Sequence, residues 1–309
     1  MHREKTFLEF KDRVFAIPGG MLNAGSSEVS FQFQLPTGIP SSFYFKDKSC
    51  REKPKAKVKY TVQATLCATM SNDEMKYKQV LIIREPPVAF KQGDRQSETS
   101  QITTCCCFNK GTSTMSSIFE KNIFLPNELI KGFVEVDNSH CTINCQRVEF
   151  AVEQRFSMNI ANKTVFGEGV HHSYGRKNHL VEQNLPGPNA GEGDWKREMF
   201  CDLSKIHYEV ATEQKDKKKG GKKKISPEDR FMMASIPPAV HGKWIHNEYH
   251  LIVKCTYDGC TCCSNLPDSD MQLSIVPMVN PECFGFKPPG GWQPYNLGGF
   301  SVNLAHHKD

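Results

Sequence analysis

Apolar residues recur at every second position in segment after segment, and a chain spaced this way buries one face of each segment only as β-strand. In residues 29–35 (VSFQFQL), Val29, Phe31, Phe33 and Leu35 share one face while Ser30, Gln32 and Gln34 share the other. In 57–66, Val58, Tyr60, Val62, Ala64 and Leu66 repeat the pattern, and Val148, Phe150 and Val152 do so later. Tyr249, Leu251, Val253 and Cys255 follow, and Met271, Leu273 and Ile275 close the series. Turn residues separate these runs: Pro18-Gly19-Gly20, Pro36-Thr37-Gly38, Asp137-Asn138 and Pro267-Asp268. No long amphipathic helical pattern interrupts them, and short helices are expected only near 73–78 and 227–231. The pattern predicts an all-β chain of two tandem antiparallel immunoglobulin-like β-sandwich domains.

Length and charge narrow the function classes. The chain has 309 residues, an ordinary length for two domains. No apolar run is long enough for a transmembrane helix, and the charged start MHREKTFLEF lacks the apolar core of a signal peptide, so a cytoplasmic location is expected. The formal net charge is +5. Residues 215–224 (KDKKKGGKKK) hold seven lysines and one aspartate, which is +6 and leaves −1 for the rest. Basic charge spread over a folded face, the footprint of a nucleic-acid binder, is missing, and no nucleic-acid partner is expected. Lys215, Lys217, Lys218, Lys219, Lys222, Lys223 and Lys224 instead form one basic loop, read either as a solvated insertion or as a contact for anionic lipid. Residues 91–100 (KQGDRQSETS) contain no aliphatic side chain and are expected to be an interdomain linker, and the Pro/Gly-rich stretch after Pro281 is read as a tail.

Several ordered landmarks together resemble a known family. Residues 31–43 (FQFQLPTGIPSSF) followed by 56–66 (AKVKYTVQATL) are similar to the arrestin N-domain of arrestin-domain-containing proteins, the α-arrestins. Residues 78–87 (KQVLIIREPP) resemble the strand that closes that domain. Cys105 to Cys107 with Asn109-Lys110-Gly111 resemble the opening hairpin of the arrestin C-domain. Residues 121–138 (KNIFLPNELIKGFVEVDN) resemble the family's KxxFxPGExIxxxVxxxN, with Asn127 where glycine is usual. Residues 143–154, 232–253 and 273–277 resemble later strands. The resemblance implies an N-domain over 1–96, shortened at its start, a hinge at 97–103 and a C-domain over 104–281 with a basic insertion near 211–228, ahead of the tail at 282–309. It also implies a non-catalytic adaptor that binds membrane-protein cargo and trafficking proteins at the plasma membrane or endosomes. A retromer-type coat subunit and a structural component of a large assembly are the alternatives. Lys46, Lys48, Arg51, Lys53 and Lys55 are the cluster expected to meet phosphorylated cargo, with a solvated loop as the other reading. Pro86-Pro87, Pro237-Pro238 and Pro288-Pro289 lack a tyrosine two residues on, so recruitment of ubiquitin ligases through Pro-Pro-x-Tyr is not expected.

Thirteen cysteines, an odd number without a secretory signal, argue against a disulfide framework. Two knots stand out, Cys105-Cys106-Cys107 and Cys260 with Cys262-Cys263. In a sandwich of this type the two knots fall at the same end. Cys105, Cys107, Cys260 and Cys262 are therefore candidate ligands of a closed structural zinc site. Free thiols and S-palmitoylation are the other readings. No cofactor is required by any motif. His171, His172, His241, His246 and His250 lie in no nucleophile or metalloenzyme motif, so no enzyme is expected.

Overall fold

The structure, a computed structural model, describes residues 6–21, 24–26, 28–29, 31–46, 54–68, 73–105, 108–162, 170–206, 236–261, 265–276 and 295–296. Its strands are β1 (Phe31–Gln32), β2 (Phe43–Lys46), β3 (Lys55–Val58), β4 (Tyr60–Cys67), β5 (Glu74–Leu81), β6 (Gln92–Thr104), β7 (Phe108–Lys121) and β8 (Ile123–Phe124). They continue with β9 (Leu129–Asp137), β10 (Cys145–Asn162), β11 (Val170–Leu185), β12 (Trp195–Asp202), β13 (Val240–His241), β14 (Ile245–Tyr257), β15 (Asp268–Ile275) and β16 (Tyr295–Asn296). Among the described residues the only helical pieces are two 3-10 turns, Pro18–Gly20 and Leu203–Lys205. The fold class is all-β, as the alternation requires.

The chain divides into two compact units. One comprises residues 1–39, 62–79 and 279–309, the other 40–61 and 80–278. In the first unit β1 pairs in parallel with β16. The run expected as a strand over 29–35 is strand only at Phe31–Gln32, where both side chains are exposed. The alternation after Tyr60 likewise leaves Leu66 exposed, and on β5 Met75 and Tyr77 are exposed too. The helix expected at 73–78 is instead β5, whose Met75, Tyr77, Gln79 and Leu81 carry the two-residue period of a strand.

The second unit is a two-sheet sandwich. One sheet has the order β12-β9-β7-β6, and the other runs β11-β10-β14-β15-β8 with β13 added to β14. Their facing sides make a single core. Met115, Phe119, Ile130, Val134, Val136 and Met199 come from the first sheet, and Phe150, Val152, Tyr249, Leu251, Val253 and Leu273 from the second. Phe119 and Phe150 stack with ring centroids 6.4 Å apart and planes 28° from parallel. Phe150 also fills the space over Gly132, where an added Cβ would lie 2.5 Å from its ring. Glycine in mid-strand ordinarily weakens a sheet. Here it admits an aromatic ring between the layers.

The stretch 91–100, expected as a linker, is the start of the edge strand β6, and the expected hinge at 97–103 lies within the same strand. Hydroxyl pairs replace aliphatic contacts here: Ser97 with Ser116 and Thr99 with Thr114, each at 2.8 Å across β6 and β7. The other side of β6 reaches the opposite sheet by side chain. Glu98 accepts from the Asp268 amide at 3.0 Å and Gln96 from the Asp270 amide at 3.1 Å. Over 92–100 the strand is held without any aliphatic side chain, which is why composition concealed it; only farther along does Ile102 enter the core.

The motif residues are joints. Ser41 and Ser42 are buried and bind the 81–85 segment: the Glu85 amide donates to Ser41 Oγ at 2.9 Å, and the Ile83 amide to Ser42 Oγ at 2.9 Å. The Ser42 amide donates to Ile83 O at 2.8 Å, and the Tyr60 hydroxyl to Pro40 O at 2.6 Å. Asn138 is fully buried and donates to Ile143 O at 2.9 Å and Asn189 O at 3.0 Å. Tyr249 donates to Pro237 O at 2.5 Å and Asn247 to Pro238 O at 2.9 Å. At the turn Leu125 to Glu128, Glu128 N–H donates to Leu125 O at 3.1 Å. Cys105 is the only non-glycine with positive φ among the described residues, so Asn127 closes this turn without a left-handed conformation.

Two stability predictions follow from the core. Phe150→Ala removes the ring from both layers and should cost about 3–5 kcal/mol in urea denaturation. A loss under 1 kcal/mol would show that the sheets do not close on this residue. Burial pushes the Cys201 thiol up to about 12. An unfolded cysteine ionises near pH 8.5, so the folded state holds a proton there that the unfolded chain releases. The resulting stability is complete below about pH 8.5 and falls as pH rises toward 12. The advantage of wild type over Cys201→Ala should therefore shrink by about 2 kcal/mol between pH 8 and pH 10, at about 1.4 kcal/mol per pH unit. An unchanged difference contradicts this assignment.

Candidate functional site

The core occupies one face of β14, and the two-residue period sends His246, Glu248, His250 and Lys254 to the other. Register then sets their neighbours. Glu153 on β10 lies opposite His250 on one side and His179 on the other, and Arg155 lies opposite Glu248 and Lys177. The outcome is a band of charge and imidazole across the outer face of the larger sheet.

Its contacts are short and continuous. Arg155 Nε donates to Glu153 Oε1 at 2.6 Å, and its guanidinium also pairs with Asp270. Asp270 in turn pairs with the His250 ring, whose Nε2 lies 3.2 Å from Glu248 Oε1. His179 Nδ1 lies 2.9 Å from Glu149 and 3.2 Å from Glu182, and its Nε2 lies 3.4 Å from Glu153. Burial pushes the Asp270 carboxyl up, but hydrogen bonds from His250 and Arg155 outweigh it and hold it below the usual carboxylate range. Glu153 follows the same logic through Arg155, and Glu248 through His246. All three are ionised at neutral pH.

One end of the band is built more fully. β13 and β14 form a hairpin that sets His241 opposite His246. Their rings are 5.0 Å apart, edge to face. His246 Nε2 lies 3.2 Å from Glu248 Oε2. Glu85 reaches this hairpin from the segment held by Ser41 and Ser42. Its Oε1 accepts from the amides of Ser41 and His241 at 3.0 and 3.1 Å, and its Oε2 meets His241 Nδ1 at 2.7 Å. Ligand-capable atoms of His241, His246 and Glu248 all lie within 4.8 Å of one another. A second group of this kind is Glu149, His179 and Glu182.

The residues singled out from the sequence fare unevenly. His241, His246 and His250, which lie in no motif, are brought together. The Cys105 amide donates to Cys260 O at 2.9 Å, so the two cysteine knots meet at the backbone. Cys107 and Cys262 lie outside the described residues, as does the whole basic loop from Lys215 to Lys224. Lys46 and Lys55 face each other across β2 and β3, with Lys55 Nζ 5.0 Å from the centre of the Tyr44 ring. Lys48, Arg51 and Lys53 lie outside the described residues, as does the helix expected at 227–231. Glu85 and Asp270 were missed, since their partners are remote in sequence. The alternation of His246, Glu248 and His250 was the available signal.

Among the described residues, hollows indent this unit. One of about 360 Å³ is lined by Gln146, Arg147, Asn184, Leu185 and Pro186. Another, of about 140 Å³, is lined by Phe45, Gln154, Phe156, Arg176, Asn178 and Leu180. Neither lining sets a nucleophile beside a base.

Comparison with known proteins adds one finding. Residues 109–278 match the family described as arrestin (or S-antigen), C-terminal domain. No curated protein matches the chain. No helix among the described residues is long and apolar enough to cross a membrane. The family match covers more than half of the sequence and runs from β7 to β15, which are the strands of the sandwich apart from the edge strand β6, and the chain belongs to the arrestin family.

Proposed function

We propose that this protein is a non-catalytic adaptor that binds membrane-protein cargo and trafficking proteins in the cytoplasm, beside the plasma membrane or endosomes. Family membership supports an adaptor role. The observation that carries the mechanism is β11, a long strand at the edge of the larger sheet that pairs, among the described residues, with β10 alone. Such an edge offers main-chain hydrogen bonds to an extended cargo tail. Arg176 and Lys177 on this strand, and the basic hairpin that begins at Lys46 and ends at Lys55, favour acidic or phosphorylated tails. Lysines 215–224 would add attraction to anionic lipid, at about 1 kcal/mol per charge near the surface.

Proximity labelling in cells with the full chain tests the reading. Membrane proteins and trafficking components should dominate the labelled set. Reversing Lys46, Lys55, Arg176 and Lys177 to glutamate should reduce cargo labelling several-fold while the circular dichroism spectrum stays that of β-sheet. A labelled set without membrane proteins, or one indifferent to the reversal, would contradict the proposal.

A further inference from the structure

The Glu85, His241, His246 and Glu248 group differs from an ordinary surface ion pair in how its members are held. Two imidazoles and a carboxylate with ligating atoms within 4.8 Å form the donor set of a zinc site with three protein ligands. In a tetrahedral site with bonds of about 2.0–2.1 Å, neighbouring ligand atoms stand about 3.3 Å apart. His246 Nε2 and Glu248 Oε2, at 3.2 Å, already have that separation. His241 and His246 are each about 40% exposed, so their rings can rotate to complete it.

The surrounding groups supply a second, independent observation. Metal-bound histidines ordinarily give their other ring nitrogen to a carboxylate, which fixes the tautomer and ring orientation. His241 Nδ1 has that partner in Glu85 Oε2 at 2.7 Å, leaving Nε2 as the ligand atom. Glu85 is itself only 14% exposed, and its other oxygen is fixed by two backbone amides. The other oxygen of Glu248, Oε1, lies 3.2 Å from His250 Nε2. Two solvated histidines on a loop would not need a carboxylate anchored from 156 residues away.

We propose that His241, His246 and Glu248 bind one zinc ion, with Glu85 as the carboxylate that orients His241. The ion would hold β13 to β14, the Glu85–His241 contact would link the hairpin to the segment around Glu85, and water would take the fourth position. This does not depend on the adaptor reading. Imidazole and carboxylate select zinc or a similar divalent transition metal over calcium or magnesium. The groups facing the two histidines are Glu85 and Glu248, with His250 and Asp270 behind Glu248.

The test uses the full chain, stripped with a chelator, desalted and titrated with zinc chloride by calorimetry, with X-ray absorption of the loaded protein. His241→Ala with His246→Ala should lose one equivalent of zinc, and the absorption spectrum should lose a shell of nitrogen and oxygen neighbours at about 2.0 Å. Glu85→Gln should keep that equivalent and weaken it about 10–100-fold. Glu248→Gln, nearly isosteric and therefore safe for the fold, should weaken it at least ten-fold. The proposal fails if the double variant and Glu248→Gln bind zinc as wild type does. It fails equally if every zinc neighbour is sulfur at about 2.3 Å, since the metal would then sit on cysteines alone.

Discussion

The rest of the second unit depends on the burial of two inner sheet faces against each other. Alternation puts the large apolar side chains of β7, β9, β10 and β14 on one side, and their removal from water is the main force that closes the layers. Phe150 marks the point of closest commitment, between Phe119 and the Cβ-less Gly132. Once the inner faces are spent on the core, the histidines and charged residues of β10 and β14 are sent outward, and register decides which of them meet. The His and carboxylate band is a by-product of the same periodicity that makes the core.

Polar joints complete what burial begins. Ser41, Ser42, Asn138, Asn247 and Tyr249 each satisfy backbone groups that would otherwise be buried without partners, a cost of about 1–3 kcal/mol apiece. They account physically for the pieces of sequence that resemble the arrestin family. Those pieces fasten connecting segments to the sandwich. Glu85 comes to His241 because Ser41 and Ser42 fix the chain on which it lies.

The fold class was legible because a two-residue period admits one structure. The buried strands around Val148, Tyr249 and Leu273 came directly from it. β6 was hidden because its contacts are hydroxyl pairs and side-chain bonds to backbone, which composition reads as a linker. β5 shows the same period in Met75, Tyr77 and Gln79 but lies among charged residues that resemble a helical surface. The meeting of Cys105 with Cys260 followed from where strands begin and end in a sandwich. The pairing of Glu85 with His241 has no local signal at all, since it is made by tertiary structure across 156 positions.

Native-state hydrogen exchange tests the central claim, that both sheets close on one cooperative core. The amides of β10 and β14, paired on both sides, should exchange only through global unfolding, with the free energy measured by denaturant, while the outer amides of β6 and β11 exchange through smaller openings. Exchange in β10 and β14 as fast as at those edges would mean that no such core exists.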